Sequence, residues 1–140
     1  MGIIGTAFVR ASTHLFVSTT PVDGRTGMRR PIHGCGLEAA LAVVGGKWKP
    51  IVLWRLTGSP RRFGELRRLV EGISEKMLIQ QLREMEADGI VARKDFREVP
   101  PRVEYALTEF GVSLAEALRP LCEWGREHMA RIERTKAEAG

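Results

Sequence analysis

The chain has 140 residues, 44% of them apolar and 28% charged; this fits one small globular domain and leaves no room for a separate catalytic lobe. No apolar run approaches the length a transmembrane helix needs, and Arg10, Ser12, Thr13 and His14 interrupt the apolar patches near the start, which argues against a secretory signal and for a cytoplasmic protein. The net charge of +5 is unevenly placed, with thirteen Lys/Arg against eight Asp/Glu in residues 47–102 but five against seven in residues 103–140.

A basic middle with a slightly acidic end suits a module that meets phosphate on one side and protein on the other. Aromatic residues make up only 6% of the chain, so the core must come from Leu, Ile, Val, Met and Ala. Cys35 and Cys122 are too few for a disulfide framework, and with His14, His33 and His128 they give no zinc-site spacing. No metal and no cofactor is expected.

Residues 1–34 read as a disordered extension. Gly2, Gly5, Pro21, Gly24, Gly27, Pro31 and Gly34 break any period, and Met28, followed by Arg29 and Arg30, would serve as an alternative start. From Leu37 the pattern turns helical, with Leu37, Ala40, Leu41 and Val44 on one face. Gly45-Gly46 closes that helix. A second helix is expected from about Lys47 to Leu56, with Pro50 tolerated in its first turn, and Thr57-Gly58-Ser59-Pro60 is a turn.

A short helix near Arg62 to Val70 would bury Phe63, Leu66 and Leu69 or Val70. Glu71-Gly72 ends it, and Ser74 stands as the N-cap of a longer helix running to Asp88. A short and a longer helix joined by a tight glycine turn form the helix-turn-helix pattern. At about 100° per residue, Leu78, Leu82 and Met85 share one side of the second helix, while Lys76, Gln80, Arg83 and Ala87 share the other. Taken alone, that outer face would be an ordinary solvated one.

The following residues change that reading. Gly89 ends the helix, and Ile90 to Phe96 is β-rich with Arg93, Lys94 and Arg97 interleaved. Val99-Pro100-Pro101 forms a tip, and Val103, Tyr105 and Leu107 alternate along a return strand. A basic hairpin directly after a candidate recognition helix is a wing. Thr108 caps a final helical region whose stripe of Leu114, Leu118, Leu121, Met129 and Ile132 is longer than a small domain can cover, with Pro120 expected to kink or break it. Pairing with a second subunit would bury the remainder.

Several strings in this order resemble the HxlR family of bacterial winged-helix regulators, from about Cys35 to Gly125. They are Gly45-Gly46-Lys47-Trp48, Arg61-Arg62-Phe63-Gly64-Glu65-Leu66, Gly72-Ile73-Ser74-Glu75-Lys76-Met77-Leu78 and Leu82-Arg83-Glu84-Met85-Glu86-Ala87-Asp88-Gly89. Val99-Pro100-Pro101-Arg102-Val103-Glu104-Tyr105 and Leu107-Thr108-Glu109-Phe110-Gly111 continue the series. The resemblance implies a homodimer joined through its first and last helices on an inverted-repeat operator. It also implies that Cys35 matches the N-terminal cysteine some members use to sense electrophiles or oxidants. The family commonly has proline after that cysteine, whereas this chain has Gly36.

The expected fold is α+β and mostly α: a winged helix-turn-helix over 35–125 with a β-hairpin wing, followed by the helix end and tail over 126–140. The expected function is a sequence-specific, DNA-binding transcriptional regulator acting as a repressor, responsive to a thiol reagent or a small ligand. Lys76, Gln80 and Arg83 would read bases, and Arg61, Arg62, Ser74, Lys94, Arg97 and Arg102 would hold phosphates. Cys35 is the candidate redox sensor, and Leu37, Leu41, Leu114, Leu118, Leu121 and Ile132 are the candidate dimer interface. The alternative is a winged-helix interaction module that does not bind DNA, which would not need the basic wing and outer face. An enzyme is not expected, because no nucleophile–base pair, metal cluster or phosphate loop is present in the sequence.

Overall fold

The structure is a computed structural model that describes residues 34–140. Apart from Gly34, the extension read over 1–34 lies outside the described residues. Helix α1 (Gly36–Val44) starts after Cys35, which occupies the cap position in an extended conformation. It ends at Gly45, and the chain reverses at Gly46, whose φ of +93° is open to glycine at little cost. Only Val44 of α1 is buried. Helix α2 (Trp48–Arg55) follows and buries Val52 and Leu53.

Two residues then pair as a strand, β1 (Arg61–Arg62), before helix α3 (Phe63–Leu69). This strand was not anticipated. Two arginines after a Pro-containing turn carry no alternation to read, and only their pairing with a distant strand makes them β. The chain turns at Gly72 (φ +83°) and enters α4 (Glu75–Ala87), where the Ser74 hydroxyl accepts the Met77 N–H at 3.1 Å. The expected cap is therefore present, and it satisfies one of the orphan amides of the first turn.

Strands β2 (Val91–Asp95) and β3 (Val103–Leu107) form the expected hairpin, running in register from Val91 opposite Leu107 to Asp95 opposite Val103. β1 joins the free edge of β3, Arg61 opposite Tyr105 and Arg62 opposite Glu104, so the hairpin is two strands of a three-stranded antiparallel sheet ordered β1-β3-β2. Val52, Leu53, Leu56, Leu66, Val70, Leu78, Leu82, Met85, Ile90, Val91 and Leu107 form one buried cluster between the helices and the sheet. Each fully buried leucine in it contributes about 1.5–3 kcal/mol relative to exposure.

Helix α5 (Glu109–Glu127) is capped by Thr108, whose hydroxyl accepts the Gly111 N–H at 3.0 Å and donates to the Gly89 carbonyl at 2.5 Å. One side chain thus ties the start of α5 to the end of α4. Gly111 is buried so closely that a Cβ there would run into the Ile90 carbonyl oxygen. Pro120 lies inside α5 without ending it; the break comes at His128, where α6 (Met129–Ala139) begins. The expectation of a break at Pro120 is corrected to that extent. α6 buries no residue within its own chain. No helix among the described residues is long and apolar enough to cross a membrane.

Candidate nucleic-acid interface

The two faces of α4 are separated as the spacing requires. Leu78, Leu82 and Met85 are at most 2% exposed, while Lys76, Gln80 and Arg83 are all exposed and line one shallow surface with exposed Glu75 and half-buried Ile79 and Glu84. Two contacts at this face were not anticipated. Gln80 Nε2 donates to Glu84 Oε1 at 3.3 Å, and Lys49 Nζ, on α2, lies 2.7 Å from Glu84 Oε2. The Gln80–Glu84 spacing of four residues was readable as a helical pair, but nothing in the sequence placed Lys49 beside it.

The turn between α3 and α4 is spanned by Arg67 Nη1 and Glu75 Oε2 at 3.1 Å, with both side chains more than half exposed. Such a pair is worth at most about 1 kcal/mol. Ser74 spends its oxygen lone pair on the cap and keeps its O–H hydrogen to donate. Arg62 is exposed at the start of α3, whereas Arg61 is half-buried and its Nε is shut off from water without a hydrogen-bond partner. Across the sheet, Arg62, Glu104 and Lys94 fall in one row.

The wing is organised around Phe96, which the sequence reading passed over. Lys94 Nζ lies 4.7 Å from the centre of its ring and the Arg102 guanidinium carbon 3.9 Å from it. Arg102 also donates from Nε to Glu104 Oε1 at 3.1 Å and sits 3.8 Å from Glu98. Two carboxylates therefore already face the charge of Arg102 inside the wing. Arg97 is exposed at φ +52°, and the Asp95 carboxylate accepts its backbone N–H at 2.9 Å. Neutralising Lys94 and Arg97 together should weaken binding to every DNA sequence and remove about one unit per lost phosphate contact from the slope of log affinity against log salt. A slope identical to wild type would show that the wing does not touch the DNA backbone.

The apolar positions divide into two groups. Leu114 and Leu118 are half-buried against the chain's own core. Leu37, Leu41, Leu121 and Ile132 are exposed, together with Phe110, Trp124 and Met129. Trp124 and Phe110 were missed because the stripe was followed through its aliphatic members alone. Trp124 stacks on His128 with ring centres 4.7 Å apart at the α5–α6 break. Cys35 is exposed at the start of α1; Cys122 is half-buried on α5. The Cys35 thiol makes no full cap hydrogen bond, but the amide groups of Glu38 and, to a lesser extent, Leu37 hold its pKa below the ordinary thiol value. Open space surrounds Gly36, so no close approach demands glycine there.

A family model for the HxlR-like helix-turn-helix matches residues 43–133, most of the described chain. The chain belongs to the HxlR-like helix-turn-helix family. It is 53% identical over 91 residues to the HTH-type transcriptional regulator YkvN of Bacillus subtilis (strain 168), covering 65% of this chain and 77% of YkvN. To YtcD of the same organism it is 48% identical over 105 residues, covering 75% of this chain and 83% of YtcD. Among solved structures it is similar to the redox regulator HypR in its reduced form. The TM-score there is 0.66 at 45% identity, with 70% of this chain and 97% of HypR covered. Membership of the HxlR-like family makes the chain a transcriptional regulator of the helix-turn-helix type, and the mostly helical winged fold expected from the sequence is the one found.

Proposed function

We propose that this HxlR-like protein is a cytoplasmic repressor that binds an inverted-repeat operator as a homodimer, with α4 of each subunit in a major groove. The observation that carries the reading is the outer face of α4. Lys76, Gln80 and Arg83 stand exposed together on a helix whose other face is fully buried, beside a wing on which Arg93 and Arg97 are exposed. Phosphate contacts position such a helix and base contacts specify its site, and recognition helices of a dimer must stand about 34–36 Å apart to enter successive grooves.

Alanine at Gln80 or Arg83 should cost about 1–3 kcal/mol on the operator and relax base preference. Selection of bound DNA from a random pool, then competition against scrambled sequence, measures both. Equal losses on operator and scrambled DNA would move these residues to the phosphate-holding group.

The same reading makes Cys35 the responsive group. It is exposed, its thiol is shifted toward the reactive thiolate by the amides at the start of α1, and the fold is shared with a protein named as a redox regulator. An adduct there would act on α1, a helix with little burial of its own. Diamide should release operator DNA from wild type and from Cys122→Ser but not from Cys35→Ser. Equal release from wild type and Cys35→Ser would remove Cys35 from this role.

A further inference from the structure

We infer that Lys49 and Glu84 fix the polarity with which Gln80 meets a base, so that each half-site carries an A·T pair opposite Gln80. This rests on the outer face of α4 being the base-reading face. The Lys49 side chain is only 14% exposed, and its ammonium reaches 2.7 Å from Glu84 Oε2. The Glu84 side chain is 43% exposed, so the pair stands at the edge of the core, where a partly desolvated ammonium is better paired than left alone. The pair therefore ties the Glu84 carboxylate to α2, on the body of the domain.

The second carboxylate oxygen of Glu84 accepts from Gln80 Nε2 at 3.3 Å. A carboxylate only accepts, whereas a side-chain amide has an accepting end and a donating end of nearly the same shape. The Gln80 amide must then turn its NH2 group toward Glu84. Its Oε1 and its second N–H are left to face outward, an acceptor beside a donor. Adenine presents the complement in the major groove, a donor at N6 and an acceptor at N7, while guanine presents two acceptors. Glu84 is a positioning residue on this account, and Lys49 holds it in place.

The test compares wild type, Gln80→Ala and the double variant Lys49→Met/Glu84→Gln, first by selection from a random DNA pool and then by competition binding. The double variant removes both charges of the pair and puts an amide where the acceptor-only group stood. Thermal melting checks its folding, and Lys49→Gln/Glu84→Gln, which also removes both charges, replaces it if it does not fold. Gln80→Ala should lower discrimination at one A·T position of each half-site by about tenfold. The double variant should lower it at the same position by about three- to fivefold, leave the other positions unchanged, and add nothing when combined with Gln80→Ala. An ion pair that merely braced the fold would weaken binding to all sequences alike, and that result overturns the inference. So does full retention of the preference in the double variant when Gln80→Ala has lost it, or selection of G·C at the position Gln80 governs. If Gln80→Ala itself keeps every base preference, the base-reading role of Gln80 fails, and the positioning role with it.

Discussion

Leu121→Glu should give a folded monomer that binds a single half-site weakly and the full operator about 10²–10⁴-fold less tightly than wild type. Leu121 is 63% exposed on α5, so a carboxylate there disturbs no packing within the chain. It does place a charge among the exposed apolar residues of α5 and α6, which include Trp124, Met129 and Ile132. Two linked reading heads gain affinity because the second binds at high effective concentration, and that gain disappears when the link is lost. Light scattering coupled to gel filtration gives the mass, circular dichroism the folding, and titration with half-site and full-site duplexes the affinity. A Leu121→Glu protein that stays dimeric would move the interface away from α5.

Gly111→Ala should destabilise the domain by about 2–3 kcal/mol or more, toward the upper end for forced overpacking. The added Cβ would meet the backbone carbonyl of Ile90 rather than the tip of a flexible side chain, so relief requires α5 to move off the sheet. That movement would also strain the Thr108 hydroxyl, which bonds both the Gly89 carbonyl and the Gly111 N–H. Urea denaturation gives the change directly. A loss below about 0.5 kcal/mol would mean that α5 can shift at little cost. Gly125, in the same helix, has no atom near the place a Cβ would take and provides the control substitution.

Much of this architecture could be read from spacing, because helices and hairpins leave local periods. The separation of Leu78, Leu82 and Met85 from Lys76, Gln80 and Arg83 needs only the turn angle of a helix, and Ser74 and Thr108 announce the caps they provide. Part of what escaped reading depends on residues far apart in sequence. β1 exists because Arg61 and Arg62 lie beside Tyr105 and Glu104, and two residues carry no period. Lys49 and Glu84 are brought together by the packing of α2 against α4. Phe96 looked like the end of a strand, and only the structure places Lys94 and Arg102 over its ring. Pro120 reads as a kink or a break, and α5 runs through it, so of the two the break is excluded.

The thin attachment of α1 and α6 has a consequence for dosage. α1 buries a single residue and α6 none within the chain, so on the proposed reading their order is supplied by the second copy. Assembly then obeys mass action. Below the dimerisation constant, operator occupancy follows the square of the protomer concentration rather than its first power. A twofold fall in cellular abundance would then reduce occupancy about fourfold in that dilute regime, giving the regulated promoter a steep threshold set by two poorly anchored helices rather than by the DNA-reading surface.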